Sequence, residues 1–526
     1  MTKQLRIKPH LISLLMAVIC LTLFCLVFLG SSPLRRGNWW PDTNAMLTIG
    51  QGWLSGRLPF KDLFEQRGPL LYLYYLLANV LATQGYLGLF VIELLNLIGI
   101  WVVEFAIIHL YYPTIADWKS ASLALLLPFL LVGSTSFETG GSPEEFAIFW
   151  LLLSLYYVIF LLKQQQLSFR QAFIIGVSGG IVFWIKYTLI APWFAFGIII
   201  LITYAQRHQT RQLLFQLGSM LLGSLLVCFI VLIYFQWQHG LSQLWHIYFL
   251  TNITAYSNTS SISLGAHLML VLQMIITAMI NQPLILIVGA LTCIFLAQDP
   301  NTHALLLIIS LTMTFNLLLS YWSLHGYPYM FLTTAAIGLC SLPIALNRQL
   351  QSKRWATAEL FVLVTLFGIA PFATNKIAMS APFVMTKQPY APQDFGNYIS
   401  QHEHRPASLI YFNTLDIGVG RYTKLSHQIK YFEETNLNPK RFPIQRESLN
   451  HSVMTAQSQY LVYDLGWSGY RTDLQRPTSI AQIDRQIPRS ILQHYHIVNI
   501  SKTLPIQNNG SVVGDKKNRI FILLKK

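Results

Sequence analysis

The stretch LISLLMAVICLTLFCLVFLG, from Leu11 to Gly30, decides the fold class, because it is an unbroken apolar run without a charge. An α-helix rises about 1.5 Å per residue, so about 20 apolar residues cross the hydrocarbon core of a bilayer. Basic residues precede the run, as in a signal peptide, but it is long for one, and no small-x-small cleavage site follows before Trp39. We therefore interpret it as an uncleaved membrane anchor.

The composition extends this interpretation to most of the chain. Of 526 residues, 53% are hydrophobic and only 11% are charged, against roughly a quarter charged in soluble domains. All five cysteines lie in apolar segments, so no disulfide or thiolate metal site is predicted. The sequence has no glycine-rich nucleotide motif and no His/Cys metal pattern, which argues against ATP-driven chemistry and nucleic-acid binding. The net charge of +15 fits either attraction to phosphates and anionic lipid or an ordinary excess of basic residues in cytoplasmic loops.

The hydrophobic pattern predicts a polytopic α-helical membrane protein with about eleven transmembrane helices. Besides the first, the predicted spans are Tyr86–Leu110, Ala121–Gly133, Phe146–Leu162, Ala172–Trp184, Leu189–Tyr204, Leu213–Phe235, Leu284–Leu296, Ala304–Ser320, Tyr327–Leu346 and Trp355–Phe372. Two further apolar segments, Pro69–Ala82 and Leu268–Ile280, are predicted to be re-entrant or interfacial helices.

The distribution of basic residues predicts the orientation, because short cytoplasmic loops collect Lys and Arg. With the N-terminus in the cytoplasm, the cytoplasmic loops contain Lys119, Lys163, Arg170, Arg207, Arg211, Arg348, Lys353 and Arg354. An odd number of spans then places the C-terminal part outside the cell membrane. The long loops 31–67 and 134–145 lie outside as well.

The chain is predicted to divide into a transmembrane module, residues 1–374, and a small extracytoplasmic α/β domain, residues 375–526. Short β-rich runs occur at Ser408–Asn413, Tyr460–Tyr463, Tyr495–Ile500 and Arg519–Leu524, and a helix-forming stretch lies at Ile480–Gln493.

The loop 31–67 contains the first candidate for catalysis, Asp42. An amphipathic stretch follows it, with Met46, Ile49 and Trp53 on one helical face, and predicts a helix on the outer membrane surface. Asp42 would then lie at the membrane–water boundary as a general base. The alternative is that Asp42 or Thr43 is the N-cap of that helix.

The loop 134–145 carries three carboxylates, Glu138, Glu144 and Glu145, just before the fourth predicted span. They could supply acid–base chemistry or hold a divalent cation. Ser142-Pro143-Glu144-Glu145 also fits a capping box. Both interpretations of Glu144 and Glu145 stay open.

Further candidates lie near the predicted outer surface: Arg67, Lys186 with Tyr187, and His325 with Tyr327. A cation at this interface can contact a phosphate, or it can simply extend from a helix end toward water. Inside the second predicted span, Glu93 and Glu104 would share one helical face with Asn96 nearby, as catalytic, proton-conducting or packing groups.

Several of these motifs resemble the GT-C superfamily of membrane glycosyltransferases, especially the bacterial branch related to protein O-mannosyltransferases and lipid A aminoarabinose transferases. The matching features are Asp42, the turn Gly56-Arg57-Leu58-Pro59-Phe60, the stretch Pro69-Leu70-Leu71-Tyr72, an acid before the fourth span, Lys186, and the His325–Tyr329 cluster. The tail sequence SLIYFNTLDIGVGRYTKLSHQIKYF is also similar to the outer domains of such enzymes. Members commonly carry His-Pro-Pro where this chain has Arg67-Gly68-Pro69, and Asp42 lacks the neighbouring acid of the mannosyltransferase pattern.

The resemblance implies an enzyme that moves a sugar from a polyprenyl-phosphate donor to a cell-wall polymer, glycolipid or protein acceptor at the outer face. Asp42 would be the base of an inverting reaction, Lys186 and Arg67 would stabilise the lipid phosphate, and Glu144 or Glu145 would orient the acceptor or hold a metal. Tyr187, His325 and Tyr327 would add substrate contacts. The alternatives are a flippase for a lipid-linked saccharide and a polysaccharide polymerase or ligase.

Overall fold

The structure is a computed structural model. It describes residues 9–38, 40–134, 137, 140–164, 166–256, 263–281, 283–323, 328–350, 356–374, 390–426, 429–434, 437, 440–465, 483, 485–500 and 521–526. The candidates Glu138, His325 and Tyr327 lie outside them.

Helices make up most of the described residues before 375. They are α1 Pro9–Phe28, α2 Pro41–Leu54, α3 Pro69–Leu81, α4 Leu87–Tyr111, α5 Asp117–Ala124, α6 Leu126–Val132, α7 Pro143–Gln164, α8 Phe169–Ile185, α9 Ala191–Gln206, α10 Thr210–Trp237, α11 Leu241–Leu244, α12 Leu264–Asn281, α13 Pro283–Ala297, α14 His303–Ser323, α15 Leu332–Cys340, α16 Leu342–Leu350, α17 Ala356–Ile369 and α18 Pro371–Thr374. Wider, π-type turns run from Trp245 to Tyr256.

Within the described part of the chain, seven helices are long and apolar enough to cross a membrane. They are Leu11–Phe28, Leu87–Tyr111, Pro143–Lys163, Tyr187–Gln206, Thr210–Trp237, Pro300–Leu319 and Thr357–Thr374. Shorter apolar helices occur at Pro69–Leu81, Phe169–Ile185, Pro283–Ala297 and Leu332–Leu346. The polytopic helical class is confirmed, but the count of eleven spans is not.

The predicted span Ala121–Gly133 is not one continuous helix. It falls on two short helices, α5 and α6. Pro128 has no backbone N–H to donate to the carbonyl of Ala124, where α5 ends. The missing hydrogen bond explains the break in an otherwise apolar segment.

Helix α2 is not a surface helix. Its buried residues run all round it from Thr43 to Gly50, and it packs against α3. Pro41 suits its first turn, because proline has no N–H to leave unsatisfied there. Its polar residues Thr48 and Gln51 bond Asp416 and Arg421 of the C-terminal part of the chain.

The C-terminal domain contains a five-stranded sheet in the order β2-β1-β3-β5-β4. Its strands are β1 Ala407–Phe412, β2 Leu425–Ser426, β3 Tyr460–Asp464, β4 His496–Ile500 and β5 Phe521–Lys525. β1 is parallel to β2 and β3, whereas β5 is antiparallel to β3 and β4. Helices α19 Ala391–His402, α20 Pro443–Met454 and α21 Arg489–Leu492 accompany it. The four predicted β-runs are confirmed. Most residues of the predicted helix at Ile480–Gln493 are described, and they contain the short helix α21. The exact division at residue 374 stays a prediction.

Candidate active site

Asp42 lies in the first turn of α2 and forms an ion pair with Arg67. The Arg67 Nη2 atom lies 2.5 Å from Asp42 Oδ2, and both side chains are 16% exposed. The N-cap of α2 is Trp40, and no side chain caps the helix. The carboxylate of Asp42 therefore serves an ion pair rather than the capping role considered from sequence.

Arg67 is held by a second acid, Glu65, which the sequence reasoning did not select. Arg67 Nη1 lies 2.5 Å from Glu65 Oε1, and the Arg67 backbone N–H donates to Glu65 Oε2 at 3.0 Å. The Tyr72 hydroxyl also donates to Glu65. One guanidinium thus lies between two carboxylates. The E-x-R spacing was the available signal, because side chains two residues apart point to one side of an extended chain.

The surroundings of Asp42 act on its proton affinity in opposite directions. Burial raises the pKa of Asp42 above its ordinary value, Arg67 and Lys186 lower it, and Glu65 raises it. Burial is the largest of these effects, so the pKa is raised overall. A raised pKa makes the carboxylate a stronger base.

A second ion pair joins Glu144 at the start of α7 to Lys186 at the end of α8. Lys186 Nζ lies 2.6 Å from Glu144 Oε1, with Glu144 almost buried and Lys186 about one-quarter exposed. Lys186 is also near enough to Asp42 for its positive charge to lower the pKa of that carboxyl group. The adjoining Tyr187 packs against Tyr248 and Phe249 and donates its backbone N–H to the Tyr248 hydroxyl.

Glu145 has a different role from its neighbour. Its backbone N–H donates to Ser142 Oγ at 3.1 Å, and its Oε2 accepts the Gly141 N–H at 2.8 Å. Its carboxyl group lies close enough to that of Glu93 for the two to interact electrostatically. The geometry therefore separates the two candidates: Ser142 caps α7, the Glu145 carboxylate accepts from the turn before that helix, and Glu144 faces the cation.

The turn at Gly140 and Gly141 connects these elements. Both residues have positive φ, +72° and +75°, which glycine adopts without strain. The Gly140 carbonyl accepts from Thr43, next to Asp42, at 2.8 Å, and the Gly141 carbonyl accepts from Tyr75 at 2.6 Å. The turn thus ties the start of α2 to α3 and α7.

The two intramembrane carboxyl groups are both fully buried. Glu93 lies under the turn, where it also accepts from Ser31. Glu104, eleven residues further, lies about 16 Å along the helix beside Cys340. Asn96 donates to the Glu145 carbonyl at 3.1 Å. The shared inward face predicted from sequence is present, but only Glu93 is near the site.

No group of three or more His, Cys, Asp or Glu side chains that could hold a metal ion occurs among the described residues. The divalent cation considered from sequence thus has no cluster of ligands in this part of the chain.

These features define a multi-pass helical membrane protein with an α/β domain packed on one end and a partly buried charged site at the junction. The fold is similar to two crystal structures of ArnT from Cupriavidus metallidurans, one bound to undecaprenyl phosphate and one in the apo state. The TM-scores are 0.51 and 0.52, at 10% and 8% identity, over 98% of this chain and 97% of those chains. The GT-C-like fold implied by the resemblance is confirmed. No family model and no curated protein matches the sequence.

Proposed function

We propose that the chain is a membrane glycosyltransferase that moves a sugar from a polyprenyl-phosphate donor to a cell-envelope acceptor at the outer face. The observation that carries the proposal is the ion pair of Asp42 with Arg67, beside that of Glu144 with Lys186. A base and two cations thus lie close together in a fold shared with a protein crystallised with undecaprenyl phosphate.

The roles follow from charge. Asp42 takes the proton of the acceptor hydroxyl as its oxygen bonds to the anomeric carbon. The bond from that carbon to the phosphate oxygen breaks, and its electron pair leaves with the lipid phosphate. Attack from the face opposite the leaving group inverts the anomeric centre.

Arg67 and Lys186 stabilise the departing phosphate, whose negative charge grows as the bond breaks. A guanidinium suits this role because it can donate two parallel hydrogen bonds to phosphate. Glu144 holds Lys186 in place, and Tyr187 lies next to it in the chain as a substrate contact. Roles for His325 and Tyr327 stay predictions from sequence.

The acceptor belongs to one of three classes: a cell-wall polymer, a glycolipid or a protein. A polymerase or ligase would use the same base and cations with an oligosaccharide-lipid donor. A flippase is favoured by one observation, the buried carboxyl groups of Glu93 and Glu104 inside α4. The product separates these functions, because only a transferase forms a new glycosidic bond.

The experiment is transfer of radiolabelled sugar from polyprenyl-phosphate donors to membrane and wall acceptors. Asp42→Asn is compared with Asp117→Asn, which alters an acid near α5 that is 45% exposed. Transfer by wild type and Asp117→Asn but not by folded Asp42→Asn supports the proposal. Absence of transfer by wild type with every donor contradicts it and directs attention to lipid translocation.

A further inference from the structure

The C-terminal sheet shares one of its faces with the hydrophobic core around α2. Leu409, Tyr411, Val462 and Leu523 belong to the same cluster as Met46. The alternate residues of these strands, including Ile410, Leu461 and Leu524, face a separate cluster inside the domain. Because side chains alternate across a strand, one whole face of the sheet covers the membrane module.

Arg421 crosses this junction. It is among the largest fully buried side chains and is 2% exposed. Its Nη2 donates to Gln51 Oε1 of α2 at 2.6 Å, and its Nη1 donates to Asn79 Oδ1 of α3 at 3.0 Å. Its carbonyl accepts the Gly85 N–H at 2.8 Å. Arg421 thus contacts both α2, which contains Asp42, and α3, which begins just after Arg67.

A second contact lies one turn nearer to Asp42. Thr48 Oγ1 donates to Asp416 Oδ2 at 2.6 Å, and both residues are buried. The second oxygen of Asp416 accepts the Gly418 N–H at 2.7 Å. Thr48 and Gln51 are three residues apart and share one face of α2. The domain therefore holds α2 along one face, starting about 9 Å along the helix from Asp42.

We propose that Arg421 and Asp416 are positioning residues: they fix α2, and through it Asp42, against Arg67. This inference rests on the proposed function. Neither residue touches the reacting atoms. Their effect is on the distance between the base and the cations, and a base displaced by about 1 Å can lose on the order of a hundredfold in rate.

Removal of these contacts should displace α2, because it leaves buried polar groups without hydrogen-bond partners. Without Arg421, the oxygens of Gln51 and Asn79 lose a charged donor at a buried site, so the helices must shift to find other partners. The same holds for Asp416 when Thr48 loses its hydroxyl. A displaced α2 takes Asp42 with it, because Asp42 is in its first turn.

The test compares Arg421→Met with Arg446→Met, and Thr48→Val with Thr48→Ser. Arg446 belongs to the same domain, where it bonds Glu434 and Asn413 and packs over Phe412. Thr48→Val keeps the shape of threonine without the hydroxyl, whereas Thr48→Ser keeps the hydroxyl. The readouts are kcat and donor KM for sugar transfer, and hydrogen exchange of α2 peptides in detergent.

We expect Arg421→Met and Thr48→Val to lower kcat by roughly 10- to 100-fold with donor KM unchanged, and to speed exchange in α2. Arg446→Met and Thr48→Ser should behave like wild type. If Arg421→Met fails to fold, the Thr48 pair decides. Wild-type kcat or unchanged exchange in Thr48→Val overturns the inference. Absence of transfer by the wild type refutes the proposed function instead, and exchange alone then tests whether the domain fixes α2.

Discussion

The guanidinium of Arg67 donates to the carboxylate of Asp42 at 2.5 Å, from the loop that precedes α3 to the first turn of α2. Under the proposed mechanism, Asp42 removes the proton of the acceptor hydroxyl, and Arg67 stabilises the departing lipid phosphate. The lipid phosphate competes with Asp42 for the same guanidinium. Proton uptake by Asp42 is therefore coupled to the charge of Arg67.

The pH dependence of transfer should report this coupling. Asp42 works as a base only when deprotonated, so kcat/KM rises with pH through its pKa, which burial raises above the ordinary 3.8. Arg67→Gln removes a positive charge that lowers this pKa, so the acid limb should move to higher pH. The measurement is a pH–rate profile of the two enzymes with the same donor.

Glu65→Gln provides the matched control, because Glu65 raises the pKa of Asp42. Its acid limb should move to lower pH. The charged groups near Asp42 are Arg67, Glu65, Lys186 and, from the C-terminal domain, Glu433. Shifts of the same sign in both variants would contradict the assignment of the limb to Asp42.

Glu144 and Glu145 should differ in what they affect. Glu144→Gln removes the negative charge that holds Lys186, but the amide oxygen of glutamine can still accept a hydrogen bond from the lysine, which is about one-quarter exposed. We expect kcat/KM to fall on the order of tenfold, with a smaller loss of thermal stability than in Glu145→Ala.

Glu145→Ala, in contrast, leaves the buried Gly141 N–H without its acceptor, which costs about 1–3 kcal/mol of stability. Its melting temperature in detergent should fall. An unchanged melting temperature for Glu145→Ala, or a larger decrease for Glu144→Gln than for Glu145→Ala, would contradict this assignment of roles.

The sequence predicted those parts of the molecule that depend on local pattern. The apolar runs identified most helices, and the β-rich runs identified four of the five strands described, all but the two-residue β2. Asp42, Arg67 and Lys186 were selected because charges at the edge of an apolar segment are conspicuous. The break between α5 and α6 was missed, although Pro128 was the available sign.

Contacts between distant parts of the chain were not predictable in this way. Arg421 bonds Gln51 and Asn79 across more than 300 residues. The sequence around Arg421 does not indicate that α2 is the helix it contacts. For the same reason, α2 was expected on a membrane surface. The amphipathic pattern shows that one face is polar, but it does not say whether water or another domain covers that face.

Gly68, next to Arg67, should tolerate no side chain. A Cβ there would lie 2.0 Å from the Trp184 carbonyl oxygen and 2.5 Å from that of Ile185. Its φ of −76° is open to any residue, so the cost of Gly68→Ala comes from the clash alone. We expect a loss of about 1–3 kcal/mol of stability and lower transfer, measured by thermal unfolding and sugar transfer.

Gly197 in α9 is the matched control, because no atom of the described residues lies within 4 Å of a Cβ at that position. Gly197→Ala should keep full activity and gain about 0.5–1 kcal/mol from its better helix propensity. Equal stability of the two variants would mean that α3 and α8 are not in close contact at Gly68.

Lys186 should matter for the departure of the phosphate more than for the fold. Lys186→Met keeps the length and apolar character of the stem but removes the charge, and loss of one such stabilising donor lowers kcat by on the order of 10²- to 10³-fold. Lys163→Met is the control, since Lys163 lies on the same α7 that carries Glu144 but about 28 Å further along it, over the ring of Tyr111. Single-turnover transfer at saturating donor isolates this step from binding. A Lys186→Met enzyme with wild-type turnover would assign charge stabilisation to Arg67 alone, whereas a matching loss in Lys163→Met would attribute the effect to α7 rather than to the site.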